Sequence, residues 1–404
     1  MSSAHNGVSY RTAVSLAVVQ LSFVTCWTVY VVYLPQLAAS AGIPRDKVIW
    51  ILMLDQAIFA VMDLVMGQAA DRVQRRMGRI GFMLAAVTLV SCLAFAAIPH
   101  VAGAGALLSL VVLLVWTVTS SALRSPPWLL LSRYAAQPRL PMLAALNLSG
   151  LAIAGAAAPY LAMELRQIDP RIPFLVASVV LAMTTAALVL VERTAAGSEG
   201  AVPRREARPH PLDRSTGLFA VGCGLLALAT QVHLFVNSGP QYLRFVQPDR
   251  LEACLPLFWL GFNLAMFPGA ALAERFGPVR VLAIAAVAGG LGTALAAVAS
   301  ALEVLIAAQV VAGGAWGCVL MAAFTVALRL GHSGREGTLL GLLWAVLSVA
   351  TLLRMGIVAT DLQRFLGATA AGGWAPAALW LGGGATFFLL FAGRGWQQKA
   401  RTAV

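Results

Sequence analysis

Long apolar runs alternate along this chain with short polar stretches that hold almost all of its charge. The runs match the ~20 residues a helix needs to cross the hydrocarbon core of a bilayer. Twelve such spans are predicted, at approximately 12–37, 48–66, 80–98, 105–131, 142–163, 173–191, 216–237, 253–272, 279–299, 302–328, 338–360 and 375–393. Several exceed the minimum length, and tilt or kinks accommodate the excess. Between the second and third runs lies GQAADRVQRR at residues 67–76, with an acid and three arginines. So charged a stretch cannot lie in lipid, and it predicts a tight hairpin at a membrane face.

One segment interrupts the alternation. Residues 192–214 (ERTAAGSEGAVPRREARPHPLDR) are rich in Pro, Gly and charge and have no apolar face, which predicts a flexible linker. Six predicted spans precede it and six follow. The organisation expected is a first bundle over 1–192, a linker over 193–214, and a second bundle with a short tail over 215–404. The halves look like copies. After the eighth span, AALAERFGPVR at residues 270–280 repeats the acid–arginine pair as Glu274-Arg275, with Gly277 two residues on. The fourth and tenth spans each approach a cluster of small residues and end at an arginine-bearing loop. Many secondary transporters are built from such repeats, with the binding site at their interface near the midplane.

Composition agrees with the span count: 60% of the 404 residues are hydrophobic and 11% charged, against about a quarter charged in soluble domains. The net charge of +12 would raise the question of nucleic acid in a soluble protein. Here the basic residues sit in loops, where they set orientation. Of the 28 Lys and Arg residues, nineteen fall on the side of residues 67–76 and seven on the other, leaving Arg124 and Arg354 inside spans. Both termini are therefore expected to be cytoplasmic. Arginine far outnumbers Lys47 and Lys399, and with abundant Ala and Gly this suggests a high-GC bacterial gene and hence the inner membrane. The N-terminal run is too long for a cleaved signal peptide. Cys26, Cys92, Cys223, Cys254 and Cys318 lie in or beside apolar runs without metal-ligand spacing, and are expected in the core. There is no G-x-x-x-x-G-K-[ST] loop, and Gly289-Gly290-Leu291-Gly292 is too weak a dinucleotide signal. No enzyme activity, cofactor, metal or nucleic acid is expected.

Residues 67–76 resemble G-x-x-x-D-R-x-G-R-R, the loop between helices two and three of major facilitator superfamily transporters. Leu34-Pro35 followed by Ala41-Gly42, and QVVAGG at residues 309–314, also resemble that family. The pattern departs at Gln74, where the family has Gly, and Trp116 stands where it carries a basic residue in span four. GAAAP at residues 155–159 is loosely similar to the Gly-Pro element of drug–proton antiporters. The resemblance implies an all-α membrane protein of two pseudo-symmetric six-helix bundles that rock about a midplane cavity, with helices two and eleven facing each other. It implies a latch of Gly67, Asp71, Arg72, Arg75 and Arg76, with Glu274 and Arg275 as a weaker second copy. Gly67 would allow close helix approach. Asp71 would accept from the N-terminal amides of span eleven and from Arg75 or Arg76.

Charged groups within spans need a partner or a wet cavity. Asp55 and Arg354 lie at similar depth, which suggests that they pair near the outer side when the protein is open inward, or else that both are structural. Asp63 is expected at the cytoplasmic interface, balanced by Arg72 or Arg75, with a part in the latch as the alternative. Arg124 precedes Ser125-Pro126-Pro127. If the span continues past it, Arg124 lies in the cavity and favours an anionic substrate; otherwise it is one more loop arginine. His233, Gln231 and Asn237 in span seven, with Gln20, Asn263 and Gln309, are the candidate polar lining of the cavity, and His233 can bind substrate, carry a proton or be structural. The function expected is alternating-access transport of a small organic solute, driven by protons and in the export direction, by a monomer. Import of a small organic anion, or a non-transporting sensor or assembly factor, are the alternatives.

Overall fold

The computed structural model describes residues 2–77, 81–134, 137–197, 214–331, 334–362 and 370–392, and these contain helices and no strand. Twelve of the helical segments are long and apolar enough to cross a membrane: Tyr10–Ser40, Arg45–Val73, Gly81–Ala104, Ala106–Leu131, Leu140–Leu165, Arg171–Val191, Arg214–Tyr242, Pro248–Phe276, Pro278–Val298, Leu302–Leu330, Glu336–Ala359 and Gly372–Leu390. We number them spans one to twelve. The ends of spans two, four, eight and ten and the starts of three, five, nine and eleven share one side, called here the arginine-rich face.

Span contacts give the architecture. In the first half, span one packs against five and six, three against four and six, and two against four. In the second half, seven packs against eleven and twelve, nine against ten and twelve, and eight against ten. Each pairing recurs with six added to both numbers, so the halves are two copies of one six-helix bundle. They meet along spans two and eleven on one flank, and along five with eight and ten on the other.

Several boundaries differ from those expected, each for a local reason. The helix of span two does not stop before the charged stretch; it runs Val48–Met77 and carries Gly67, Asp71 and Arg72 on helical backbone. Residues 68–76 contain no Gly or Pro, and Ala, Arg and Gln favour helix, so nothing ends it there. Residues 192–197 likewise continue the sixth span as helix to Gly197. The expected linker is therefore shorter, and its remainder at 198–213 lies outside the described residues, as do 78–80 of the hairpin. Span four is broken. Helix Ala106–Ser120 passes into a 3-10 turn at Ser121–Leu123, the backbone bends through Arg124 to Pro127, and helix resumes at Trp128–Tyr134. Pro126 and Pro127 each remove an amide donor and crowd the preceding turn, which forces the break. Span seven contains a π-turn at His233–Asn237.

Spans two and eleven approach backbone to backbone. A β-carbon on Gly67, Gly337 or Gly341 would run into the carbonyl of Gly337, Gly67 or Asp63 respectively. Small residues permit such contact where lipid supplies no hydrophobic drive between helices. Replacing Gly341 by Leu is therefore expected to force the bundles apart and lower the melting temperature of the purified protein by roughly 5 °C, the scale of 1–3 kcal/mol of overpacking. Gly217→Leu, where an added β-carbon meets nothing within 4 Å, is the matched control and should leave it unchanged.

Candidate functional site

Among the described residues, four polar arrangements inside the spans each begin with a buried group that lipid alone would not accept. The first joins the halves at the arginine-rich face. Asp71, 3% exposed at the end of span two, points at the start of span eleven. Its Oδ1 accepts from the Gly337 amide at 2.8 Å, and its Oδ2 accepts from the Thr338 amide at 2.9 Å and the Thr338 hydroxyl at 2.8 Å. These amides are among the first of their helix, have no partner within it, and favour negative charge. Arg72 is exposed, and the side chains of Arg75 and Arg76 lie outside the described residues. The second copy of the motif does not repeat this contact. Glu274 and Arg275 are exposed, and the Arg275 guanidinium lies over Phe276 at 5.1 Å. Among the described residues no contact of this pair with span five matches that of Asp71 with span eleven; the side chains at 132–137, just before span five, lie outside the described residues.

The second arrangement lies about two turns deeper, eight residues back along the same helix. Asp63, fully buried, pairs with Arg124 at 3.2 Å. The expected balance of Asp63 by Arg72 or Arg75 is thus replaced by a partner from span four. The break before the double proline is what aims Arg124 inward. Its guanidinium lies between the rings of Phe59 in its own half and Trp344 in the other, 4.7 Å from each centroid. Ser348 of span eleven faces the Asp63 carboxylate. Beside the pair, Trp128 stacks on Phe324 at 4.0 Å, and Phe324 meets Trp344 at 5.2 Å. Phe59, Asp63, Arg124 and Trp128 of the first half and Phe324, Trp344 and Ser348 of the second thus seal the interior toward the arginine-rich face. Arg124 is 7% exposed, lies within span four and has Asp63 as its counter-charge.

The third arrangement belongs to the first half. Both oxygens of Asp55 accept hydroxyls, from Tyr30 at 2.7 Å and Thr117 at 2.8 Å. Tyr30 is held by Trp116 and Trp27, with ring centroids 4.6 and 5.3 Å away. Asp55 forms no ion pair with Arg354 here. Its own half satisfies it, in a conformation whose arginine-rich face is closed.

The fourth arrangement belongs to the second half. His233, 1% exposed, meets Gln309 Oε1 through Nε2 at 3.0 Å, and Gln309 donates to Gln241 at 3.4 Å. With Gln309 oriented so, His233 donates from Nε2, and its Nδ1 is a buried acceptor without a partner. The other polar candidates do not join this network. Asn237 donates to the Gly372 carbonyl at 3.3 Å and Asn263 to that of Trp259 on its own helix, while Gln20 and Gln231 lie elsewhere on spans one and seven. Among the described residues no three His, Cys, Asp or Glu side chains group as a metal site.

Sequence reasoning missed Trp128, Phe324, Trp344 and Ser348. A signal for the last two was present: Gly337, Gly341, Trp344 and Ser348 follow the i, i+4, i+7, i+11 spacing of one helix face.

Two repeated six-helix bundles, closed on one face by buried polar contacts, define a membrane-transport fold. Residues 16–353 match the sequence profile of the Major Facilitator Superfamily, and the chain belongs to that family of membrane transporters. It is 27% identical over 144 residues to a triacylglyceride transporter of Mycolicibacterium hassiacum. The match spans 34% of this chain and 27% of that relative's length. Among solved structures, it resembles a bacterial homologue of the iron transporter ferroportin in an outward-facing state, with a TM-score of 0.72 and 13% identity over 95% of this chain and 100% of that one. The fucose:proton symporter FucP of E. coli gives 0.68 and 12% over 95% and 99%, and the human organic anion transporter MFSD10 gives 0.66 and 15% over 94% and 99%. At such identities the likeness is one of fold.

The Asp63–Arg124 pair generates a double-mutant test. Removing one partner leaves an uncompensated buried charge, a loss of about 3–5 kcal/mol. Asp63→Asn and Arg124→Gln are each expected to lower the melting temperature sharply, and the double variant to recover most of the loss. Additive losses in thermal unfolding would mean that the two groups do not act as a pair.

Proposed function

We propose that this protein is a secondary active transporter that moves a small organic solute by alternating access, exchanging it for protons in the direction of export. The observation that carries the reading is the kind of contact closing the arginine-rich face. The halves are held there by three hydrogen bonds to one carboxylate and by a buried ion pair wedged against an aromatic ring of the other half. Such contacts are few, directional and electrostatic, so a change of charge can release them. Gly67, Asp71 and Thr338 then form the latch.

Proton coupling rests on two carboxylates. Asp55 and Asp63 are buried without excess positive charge nearby, and each would lose partners on taking up a proton. Protonated Asp63 no longer holds Arg124, which weakens the seal at Trp344. Asp55 is the group placed to take the driving proton on the outer side of the seal. Export accords with the resemblance at residues 155–159, where Gly155 lies against Trp259 of the other half. Import of an anion drew its motive from Arg124, and that guanidinium is already paired. Both termini in the cytoplasm, the inner membrane and a monomeric state complete the proposal, supported by the excess of arginine on one face.

The test is proton movement in proteoliposomes with an acidic lumen and an internal pH dye, against a panel of organic amines, carboxylates and neutral drugs. An antiporter releases lumenal protons as solute enters, so at least one solute should raise the lumenal pH. Solute-induced acidification would mean symport. No solute-dependent signal from any member would contradict coupled transport. Asp55→Asn should slow the signal at least tenfold.

A further inference from the structure

Among the intramembrane charges described above, one has neither a counter-charge nor a hydrogen-bond partner among the described residues. Asp55 takes two hydroxyls, Asp71 takes amides, and Asp63 and Arg124 take each other. Arg354 has none of these. Its guanidinium lies over the ring of Phe235, 5.0 Å from the centroid, and its Nε has no hydrogen-bond partner. No described carboxylate is within ion-pair reach of it.

Helical phase shows where this side chain points. Trp344 reaches across the interior to Arg124 and Phe324, so it marks the inward face of span eleven. Leu353, 51% exposed, is nine residues on, about 180° around the helix, and marks the lipid face. Arg354 is ten residues on from Trp344 and lies about 80° from its direction, on the side that packs against span seven. It thus borders the interior, not the lipid. In depth it follows Glu336 by 18 residues, about 27 Å along the axis, toward the outer mouth and beyond the aromatic seal.

The residue that braces it belongs to the π-turn at His233–Asn237. A π-turn inserts an extra residue and re-aims the side chains around it, and such turns concentrate at functional sites. Here it sets Phe235, 55% exposed, beside the guanidinium, 5.0 Å from ring centroid to Cζ. The Nε–H donor of the fork is left without an acceptor. A guanidinium edge matches a carboxylate in two parallel hydrogen bonds, and a lone cation within a span is costly until an anion reaches it.

We propose that Arg354, braced by Phe235, is the group that recognises the solute, and that the solute carries a carboxylate. This deepens the transport reading and rests on it, but binding is measured separately from flux. The experiment uses the purified full chain in detergent, with benzoate, phenylacetate and succinate as probes, their amides as neutral counterparts, and phosphatidylglycerol as the lipid arm. At least one carboxylate should raise the melting temperature of the wild type while its amide does not. Arg354→Gln should weaken that binding tenfold or more, Arg354→Lys less, and Phe235→Leu, which keeps the charge, severalfold. The proposal is overturned if no carboxylate distinguishes the wild type from Arg354→Gln. It is also overturned if only phosphatidylglycerol does so, because the guanidinium then serves a lipid headgroup. Recovery of stability in an Asp55→Arg, Arg354→Asp double variant would likewise overturn it in favour of pairing between those residues. Gradient-driven flux without carboxylate binding refutes the substrate class alone, whereas carboxylate binding without flux refutes the transport reading alone.

Discussion

A carboxylate inside a helical bundle must find donors, and in this protein the donors of two carboxylates come from places that tie the halves together. Asp71 takes the free amides at the start of span eleven, which no residue of that helix can satisfy. Asp63 takes Arg124, whose guanidinium lies against Trp344 of the opposite bundle. The backbones come close enough because glycines face each other at Gly67, Gly337 and Gly341. Packing, capping and ion pairing thus converge on one flank. Without the glycines Asp71 would not reach the amides, and without the charges the glycines would leave only weak van der Waals contact.

This arrangement also assigns different tasks to the buried charges. Those near the arginine-rich face hold it shut, Asp71 through three donors and Asp63 through its ion pair with Arg124. Asp55 takes its donors entirely within its own bundle, from Tyr30 and Thr117. Arg354 stands apart, toward the outer mouth, with an aromatic ring for a neighbour and no acid. A face closed by paired charges and an outer side that keeps an unpaired cation form an asymmetry that alternating access can use, because solute and proton are exchanged on whichever side is open.

Much of the architecture was legible in the sequence because it depends on patterns local to each segment. The length and apolarity of each run set the twelve spans, and a repeated acid–arginine pair marked the two halves. That Asp71 would reach the start of span eleven was implied by the family likeness alone, and the amides of Gly337 and Thr338 do donate to it. The partners of Asp63 and Asp55 were not legible. Which helix supplies a counter-charge depends on packing among helices distant in sequence, and Arg124 is aimed at Asp63 where two prolines break span four between Ser120 and Trp128. The π-turn was not foreseen either: HLFVN at residues 233–237 lies within an apolar run that reads as one continuous helix. Glu274-Arg275 marks the limit of reading by repeat, since a duplicated motif kept its residues but, among the described residues, not its contact.

The central claim is that Asp71 and Asp63 hold the arginine-rich face closed. It is tested most directly by the distance between spin labels at Gln68 and Phe276, exposed positions on opposite halves of that face, measured by double electron–electron resonance after replacement of the native cysteines. The wild type should give one short distance, and Asp71→Asn and Asp63→Asn should each add a second, longer population. An unchanged distribution in both variants would contradict the claim.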